Sequence, residues 1–600
     1  MKTSMLLFGT PLRALLLVVI GNVSITFAED TARWSMDCSS PNTLLVGKTP
    51  AYRDGVEGHC SVFDGNTVLD LDGASGLTDS KHFTLVVWVN PHTLNRNQQA
   101  IAAKNRYSLG EREWTLMLDT DRRFRLYVRE EGWRTISGPD ARPGSWHQLI
   151  FVRNANEITF YVDGEKQGEL SINALATTNA PVTVGGVNDN GNLRQTLVGA
   201  VDEVQLLPKS LTEADVKQFY RPVTSKHALP EPPQLETLWD ESEALPTASN
   251  LTPADDVKFH VIQTWNEPVD GYRFLHGVAL QFHRGRLFAS FGHNQGDENT
   301  VTEEAHYRIS DDQGMSWGPL QIIDHGEEEN LAVSHGVFLS EGNSLWAFHG
   351  SYYGRMEDIH TRAYRYDENS DQWTPLGRVI GEGFWPMNQP VRMEDGNWIM
   401  PGLLGKRYDS NQAFPAAVAI SHGNHFEKWD LVRIPVDKNI HQMWGESSLW
   451  VSGENVFNVS RFGADAKALL ATSDDYGRTW SPSKISNLPM ATSKPAAGVL
   501  STGQRYLVCT TAADNGGRRM PLTIAISRPG ENVFSKVLVL RRAMQPNAPG
   551  ESAKRLSLSY PYAIEHDGHL YVGYSNNGGR SANLNSAEMA VVPIQSLRAD

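Results

Sequence analysis

Residues 271–319 read GYRFLHGVALQFHRGRLFASFGHNQGDENTVTEEAHYRISDDQGMSWGP. The closing part decides the fold. Ser310-Asp311-Asp312-Gln313-Gly314-Met315-Ser316-Trp317 fits S-x-D-x-G-x-[ST]-W, and Ser473-Asp474-Asp475-Tyr476-Gly477-Arg478-Thr479-Trp480 fits it again. In such an octapeptide the aspartate accepts backbone N–H groups across a hairpin turn. The glycine supplies the turn geometry, and the tryptophan plugs between strands. Asp312 and Asp475 therefore read as scaffold. Working outward, weaker copies stand at Tyr366–Trp373 (YDENSDQW), Ser421–Trp429 (SHGNHFEKW) and Ser527–Phe534 (SRPGENVF). From Trp317 the closing aromatics follow at intervals of 56, 56, 51 and 54 residues. Each interval holds several strand-like runs, enough for one four-stranded unit of a repeat.

The octapeptide resembles the Asp-box of sialidase-like β-propellers. The resemblance, with the repeat period, implies a six-bladed β-propeller over residues 255–600. The expected fold class is all-β: an N-terminal jelly-roll β-sandwich followed by this propeller.

Residues 34–220 read as the sandwich. Phe83-Thr84-Leu85-Val86-Val87-Trp88-Val89 is a strand rich in β-branched and aromatic residues. Trp146–Arg153 and Ile158–Val162 read as a strand pair about Asn154-Ala155-Asn156, with a tight turn at Asp163-Gly164. FTLVVWVNP (83–91), GSWHQLIFVRNANEITFYVDGEKQG (144–168) and GAVDEVQLLPKSLTEADV (199–216) resemble the laminin-G-like, concanavalin-like jelly roll in order and spacing. That family implies carbohydrate or protein binding and carries no catalytic set. Between the domains, Arg221–Asn250 contains Pro222, Pro230, Pro232, Pro233 and Pro246 with acidic residues between them. This density discourages helix and central strand, so 221–254 is expected to be an extended surface connector.

Composition narrows the partners. With 69 acidic and 54 basic residues the net charge is −15, which argues against nucleic acid or an anionic membrane surface. An anionic substrate is still compatible with a local arginine cluster. Lys2 and Arg13, the apolar run Ala14–Ile20 and Thr26-Phe27-Ala28 before Glu29 read as a signal peptide over 1–28. The apolar run is short for a membrane anchor, and no later segment reads as a bilayer span. Of three cysteines, Cys38 and Cys60 are placed to pair in an oxidising compartment. Cys509, in Tyr506-Leu507-Val508-Cys509-Thr510, reads as a buried small apolar residue. No Cys/His cluster has zinc spacing, no cofactor is called for, and a calcium ion in the jelly roll has no spacing to support it.

The resemblance to sialidases implies a site. Their first-blade arginine, usually in Arg-Ile-Pro, falls on Arg273 of Tyr272-Arg273-Phe274-Leu275, where the two following residues depart from the motif. Their acid/base aspartate lies in the loop before the first Asp-box. Here that loop offers Asp297 and Glu298, with Glu303 and Glu304 further on; residue type favours Asp297, and the pattern does not separate it from Glu298. A glutamate followed by an arginine fifteen positions later falls on Glu446 and Arg461. The third arginine, before a Leu-Thr strand, is Arg519, with Arg518 the alternative. The nucleophile is Tyr560 of Ser559-Tyr560-Pro561, with Tyr562 second. The histidines His276, His293, His335 and His349 stand beside these positions. In sialic acid a carboxylate sits on the anomeric carbon. Guanidinium forks pair with it, and a neutral tyrosine attacks where a carboxylate would be repelled.

The reading that follows is a secreted or periplasmic retaining exo-glycosidase that removes a terminal sialic or related ulosonic acid from a glycan. A second reading is a β-propeller lyase, in which an arginine neutralises a uronate carboxylate while Tyr560 or a histidine takes the C5 proton. A third is a glycan-binding protein without turnover. Sugar, linkage and oligomeric state stay open.

Overall fold

The computed structural model describes residues 32–37, 43–71, 73–92, 94, 98–223, 235–406, 413–437, 440, 443–463, 465–581 and 583–599. The signal-peptide stretch and Cys38, hence its pairing with Cys60, lie outside the described residues. The chain divides into two compact units with the break between His227 and Ala228.

The first unit is a β-sandwich. One sheet runs Glu165–Ser171, Glu157–Val162, His147–Asn154, His82–Pro91, Val198–Leu207, His59–Asp64 and Ala51–Asp54, with Ala32–Trp34 also on Val198–Leu207. The other runs Trp133–Asp140, Arg123–Arg129, Glu111–Leu118, Gln99–Arg106, Val182–Val184, Thr67–Leu71 and Thr43–Gly47. The strand at 83–89 is central, as its apolar run requires, and the hairpin about Ala155 pairs Leu149 with Val162. Phe151 meets Phe83 within its sheet at 5.1 Å and Trp114 of the facing sheet at 5.5 Å, edge on, the geometry aromatic rings prefer. Buried Cys60 has its thiol pushed up to about 11 by burial.

The second unit is a six-bladed propeller. Blade 1 is Phe274–His283, Arg286–Asn294, Glu303–Ser310 and Gln321–Asp324; blade 2 is Leu331–Glu341, Ser344–Tyr353, Glu357–Asp367 and Gln372–Ile380. Blade 3 opens with the short strand Phe384–Pro386 and continues through Trp398–Leu404, Ala416–His422 and His425–Arg433. Blade 4 is Ser447–Ser452, Asn455–Arg461, Lys467–Ser473 and Lys484–Pro489; blade 5 is Ala496–Val499, Arg505–Cys509, Leu522–Ser527 and Phe534–Arg541. Blade 6 takes Leu558–His566, His569–Asn576 and Ser586–Pro593 from the C-terminal end and its outer strand, Lys258–Gln263, from before blade 1.

All five repeat motifs sit on the turn between the third and fourth strands of blades 1–5. Blade 6 has no such turn, because its fourth strand arrives from elsewhere in the chain. In the first box Ser316 N donates to Asp312 Oδ1 at 2.8 Å and Gly314 N to Ser310 Oγ at 2.7 Å. Thr479 N donates to Asp475 Oδ1 at 2.8 Å in the second. The Ser316 hydroxyl, then its N–H and the Ser310 hydroxyl, hold the Asp312 carboxyl down at about 2, the behaviour of a structural acceptor.

The expectation of an extended connector over 221–254 needs correction from residue 235 onward. Leu238 and Trp239 are buried, and both their N–H groups donate to Asn487 Oδ1, at 2.9 and 2.8 Å. Thr252–Pro253 pairs in parallel with the outer strand of blade 5, and Glu236 N donates to Ile485 O of blade 4 at 2.9 Å. The outer edges of blades carry open backbone groups that need covering, and this segment covers two of them. Among the described residues no helix is long and apolar enough to cross a membrane.

Candidate active site

A cavity of about 280 Å³ opens where the blades meet, and all six contribute to its lining. His276 and Glu298 come from blade 1, Ser334 and His335 from blade 2, Trp385 from blade 3, Glu446 and Arg461 from blade 4, Arg519 from blade 5, and Tyr560 and Asn583 from blade 6. Met387, Leu403, Phe414 and Trp444 make one wall apolar.

Tyr560 reaches the cavity through a break in strand order. The register of the first strand of blade 6 shifts between Ser559 and Tyr562, and Tyr560 has φ 51°. A left-handed backbone at a bulky residue costs about 1–3 kcal/mol and persists only where the surroundings enforce it. Two neighbours do so: Tyr560 N donates to Ser493 Oγ at 3.3 Å, and buried Lys494 donates from Nζ to Pro561 O at 2.6 Å. Burial lowers the Lys494 ammonium to about 7.

The Tyr560 hydroxyl donates to Glu446 Oε1 in a short hydrogen bond. Glu446 Oε2 in turn accepts from Arg461 Nη1 at 2.8 Å, and the Arg461 guanidinium lies 5.4 Å from the Trp444 ring centre. Arg519 donates from Nε and Nη2 to Thr492 O at 3.2 and 3.0 Å, which sets its guanidinium 5.8 Å from the Tyr560 ring centre. Burial, followed by the Glu446 charge, holds the phenol pKa well above its ordinary value, with Arg461 and Arg519 opposing. The phenol is therefore neutral at rest, with an acceptor for its proton already in place.

The structure brings Tyr560, Glu446, Arg461, Arg519, His276 and Glu298 together and leaves Arg273, Asp297, Arg518, His293 and Tyr562 out. Arg273 does not line the cavity; its Nη1 pairs with Asp297 Oδ1 at 3.2 Å, Arg273 being half-buried and Asp297 exposed. Side chains of a strand alternate between faces. Phe274 and His276 take the cavity face, so Arg273 and Leu275 take the other. Asp297 goes with Arg273, and its neighbour Glu298 is the carboxyl that opens into the cavity. Glu298 is itself solvent-accessible at the cavity mouth; desolvation by the surrounding protein raises its pKa, against the hydrogen bond from Asn583 and the charge of Arg519. Arg518 is exposed and donates to Asn515 O at 2.9 Å. His293 stacks on Tyr272 at 4.2 Å with Nδ1 2.9 Å from His306 Nδ1, outside the cavity, and burial drives it down to about 3. Tyr562 is a core residue whose hydroxyl accepts from Phe338 N at 3.5 Å.

Several lining residues carried no motif. Trp385, 5.0 Å from the His335 ring, and Met387 belong to blade 3, whose first strand is too short to read from sequence. Glu303, buried in the cavity lining, accepts from Ser334 Oγ and from the Tyr352 hydroxyl, the latter at 2.8 Å. Lys494 reads as an ordinary surface lysine in sequence, although its neighbours Ala496 and Ala497 open a strand. Among the described residues no cluster of His, Cys, Asp or Glu is arranged to hold a metal.

Fold and site define a class: a β-sandwich joined in one chain to a six-bladed propeller whose cavity holds a tyrosine–glutamate pair flanked by arginines. Residues 276–572 match the model of the BNR repeat-like domain and residues 63–217 that of the concanavalin A-like lectin/glucanases superfamily. The second unit thus carries a BNR repeat-like domain and the first a concanavalin A-like one. Similar solved structures include the NanB sialidase from Streptococcus pneumoniae, at 11% identity over 92% of this chain and 99% of that one with a TM-score of 0.40. A leech intramolecular trans-sialidase is similar at 10% identity over 93% and 99% with a TM-score of 0.41. A Hadza microbial sialidase is similar at 14% over 86% and 94% with a TM-score of 0.43. No curated protein sequence matches the chain.

Proposed function

We propose that the propeller is a retaining exo-glycosidase that releases a terminal sialic or related ulosonic acid. The observation that carries this reading is the buried Tyr560 hydroxyl bonded to Glu446 beside two arginines. A carboxylate on the anomeric carbon meets the Arg519 and Arg461 guanidiniums. Tyr560 attacks that carbon while Glu446 takes its proton, which leaves no negative charge facing the carboxylate before attack. Glu298 protonates the leaving oxygen, for which a raised pKa suits it, and afterwards takes a proton from the incoming water. Two displacements retain the anomeric configuration. Entry through an export signal over residues 1–28 accompanies this reading, and a secreted mature chain beginning at Glu29 is its expected N-terminus.

The His335 ring, 5.7 Å from that of the phenol, favours the uronate-lyase reading as the second choice, since it offers a further proton acceptor. One experiment separates the readings. Incubated with 4-methylumbelliferyl N-acetylneuraminide, wild type is expected to release sialic acid, and Tyr560→Phe to lose about a thousandfold or more in kcat. Absence of turnover together with an ultraviolet-absorbing unsaturated product from a uronate polymer overturns the glycosidase in favour of the lyase. Binding without either product leaves a lectin.

A further inference from the structure

The cavity holds two arginines where the sialidase pattern leads one to expect three, and one of them is already engaged by Glu446. His276 occupies the remaining side. Its ring centre lies 3.8 Å from that of Tyr560, and it lines the cavity alongside Arg519 and Arg461. Two neighbours on blade 6 fix its proton. Asn585 Nδ2 donates to Leu275 O at 2.5 Å, which orients the amide, and the same NH2 group lies 3.3 Å from His276 Nδ1. An NH2 group only donates, so Nδ1 must present its lone pair. Ser575 Oγ accepts from Gly277 N at 3.3 Å and keeps its own hydrogen for Nδ1, 3.1 Å away. The ring proton is therefore on Nε2, the nitrogen for which no hydrogen-bond partner stands among the described residues. Burial, with the His335 ring and the Arg519, Lys494 and Arg461 cations around it, keeps the imidazole neutral.

We propose that His276 is the third arm of the carboxylate site, giving a neutral Nε2–H to one oxygen of the sugar carboxylate while the two guanidiniums hold the rest. This rests on the glycosidase reading and adds to it a substrate specification: an anion bound by two charges and one uncharged donor. A charge-assisted hydrogen bond of this kind is worth about ten- to a hundredfold in binding.

The test uses 2-deoxy-2,3-didehydro-N-acetylneuraminic acid and its methyl ester as binding probes, with 4-methylumbelliferyl N-acetylneuraminide turnover beside them. His276→Phe is expected to weaken the acid probe about ten- to a hundredfold and the ester much less, and to raise KM more than it lowers kcat. His276→Gln, whose amide nitrogen reaches the position of Nε2, is expected to recover most of the loss, which a merely packing role would not produce. Wild-type affinity should not fall through pH 6–7 on account of His276, because the ring is uncharged throughout. Unchanged probe affinity in His276→Phe, equal losses for acid and ester, or a wild-type affinity that drops through pH 6–7 and is flat in His276→Phe would each overturn the proposal while the glycosidase stands. A wild type that neither binds the acid nor turns over the sialoside overturns both. Thermal unfolding of His276→Gln beside wild type identifies any loss that comes from misfolding.

Discussion

Tyr560 and Glu298 illustrate how placement alters the proton affinity of ordinary side chains. A free phenol ionises near pH 10; enclosed and bonded to Glu446, it holds its proton at rest. Glu298 differs from Asp297 by one position, and that position decides which carboxyl faces the cavity. Glu298→Gln should therefore cost about a hundred- to ten-thousandfold in kcat on sialyl-lactose, whose leaving group needs protonation. It should cost far less on the aryl sialoside, whose phenolate leaves unaided. Asp297→Asn should change neither rate by more than a few-fold, and steady-state kinetics on both substrates checks the contrast. The sequence showed that a carboxyl lay in this loop because spacing from the Asp-box survives in one dimension. It did not show which one, because the direction a loop side chain takes depends on contacts with Asn583 and Arg519, far away in the chain. Arg273 failed for a related reason. A motif altered after its arginine had lost the residues that mark its register, and a strand read one position off presents its opposite face.

At the scale of strands, the cavity is made by irregularities. The first strands of blades 1, 2 and 6 shift register at His276–Ala279, Val333–Gly336 and Ser559–Tyr562. In blades 2 and 6 the residues inside the shift, Ser334, His335 and Tyr560, line the cavity, where regular alternation would send neighbours to opposite faces. Gly277, at φ 72°, lets one bulge lie against the next, since a Cβ there would run into the His335 ring. Such shifts have no residue signature strong enough to read beforehand, whereas the hairpin boxes do. Glu303 ties the third strand of blade 1 to Ser334 and Tyr352 of blade 2, and burial raises its pKa to about 7. The folded chain therefore holds this proton more tightly than the unfolded chain does. The stabilisation is fully present below the unfolded value near 4.5 and is lost as pH rises through 7, by up to about 3 kcal/mol. Glu303→Gln should flatten that decline, seen as a smaller loss of urea midpoint between pH 5 and 8.

At the scale of the molecule, the number of blades was legible because five motifs recur on one hairpin and the sixth is missing for a topological reason. The clip at 235–254 was not legible: proline density describes what a segment cannot pair with internally, and says nothing of an edge elsewhere that can accept it. Trp239, buried and bonded through Nε1 to Glu243 O at 3.0 Å, anchors the clip beside blades 4 and 5. Trp239→Ala should cost about 3–5 kcal/mol in chemical unfolding followed by tryptophan fluorescence, with sialoside kinetics below the transition left intact. The strand at Lys258–Gln263 acts differently, since it completes blade 6 from the opposite end of the ring. Glu446 and Tyr560 come from blades 4 and 6, so in the proposed reaction neither acts until the last blade has received a strand made long before it. Activity consequently reports whether the circle is shut, and springing that one seam would silence the chemistry while leaving each sheet individually folded.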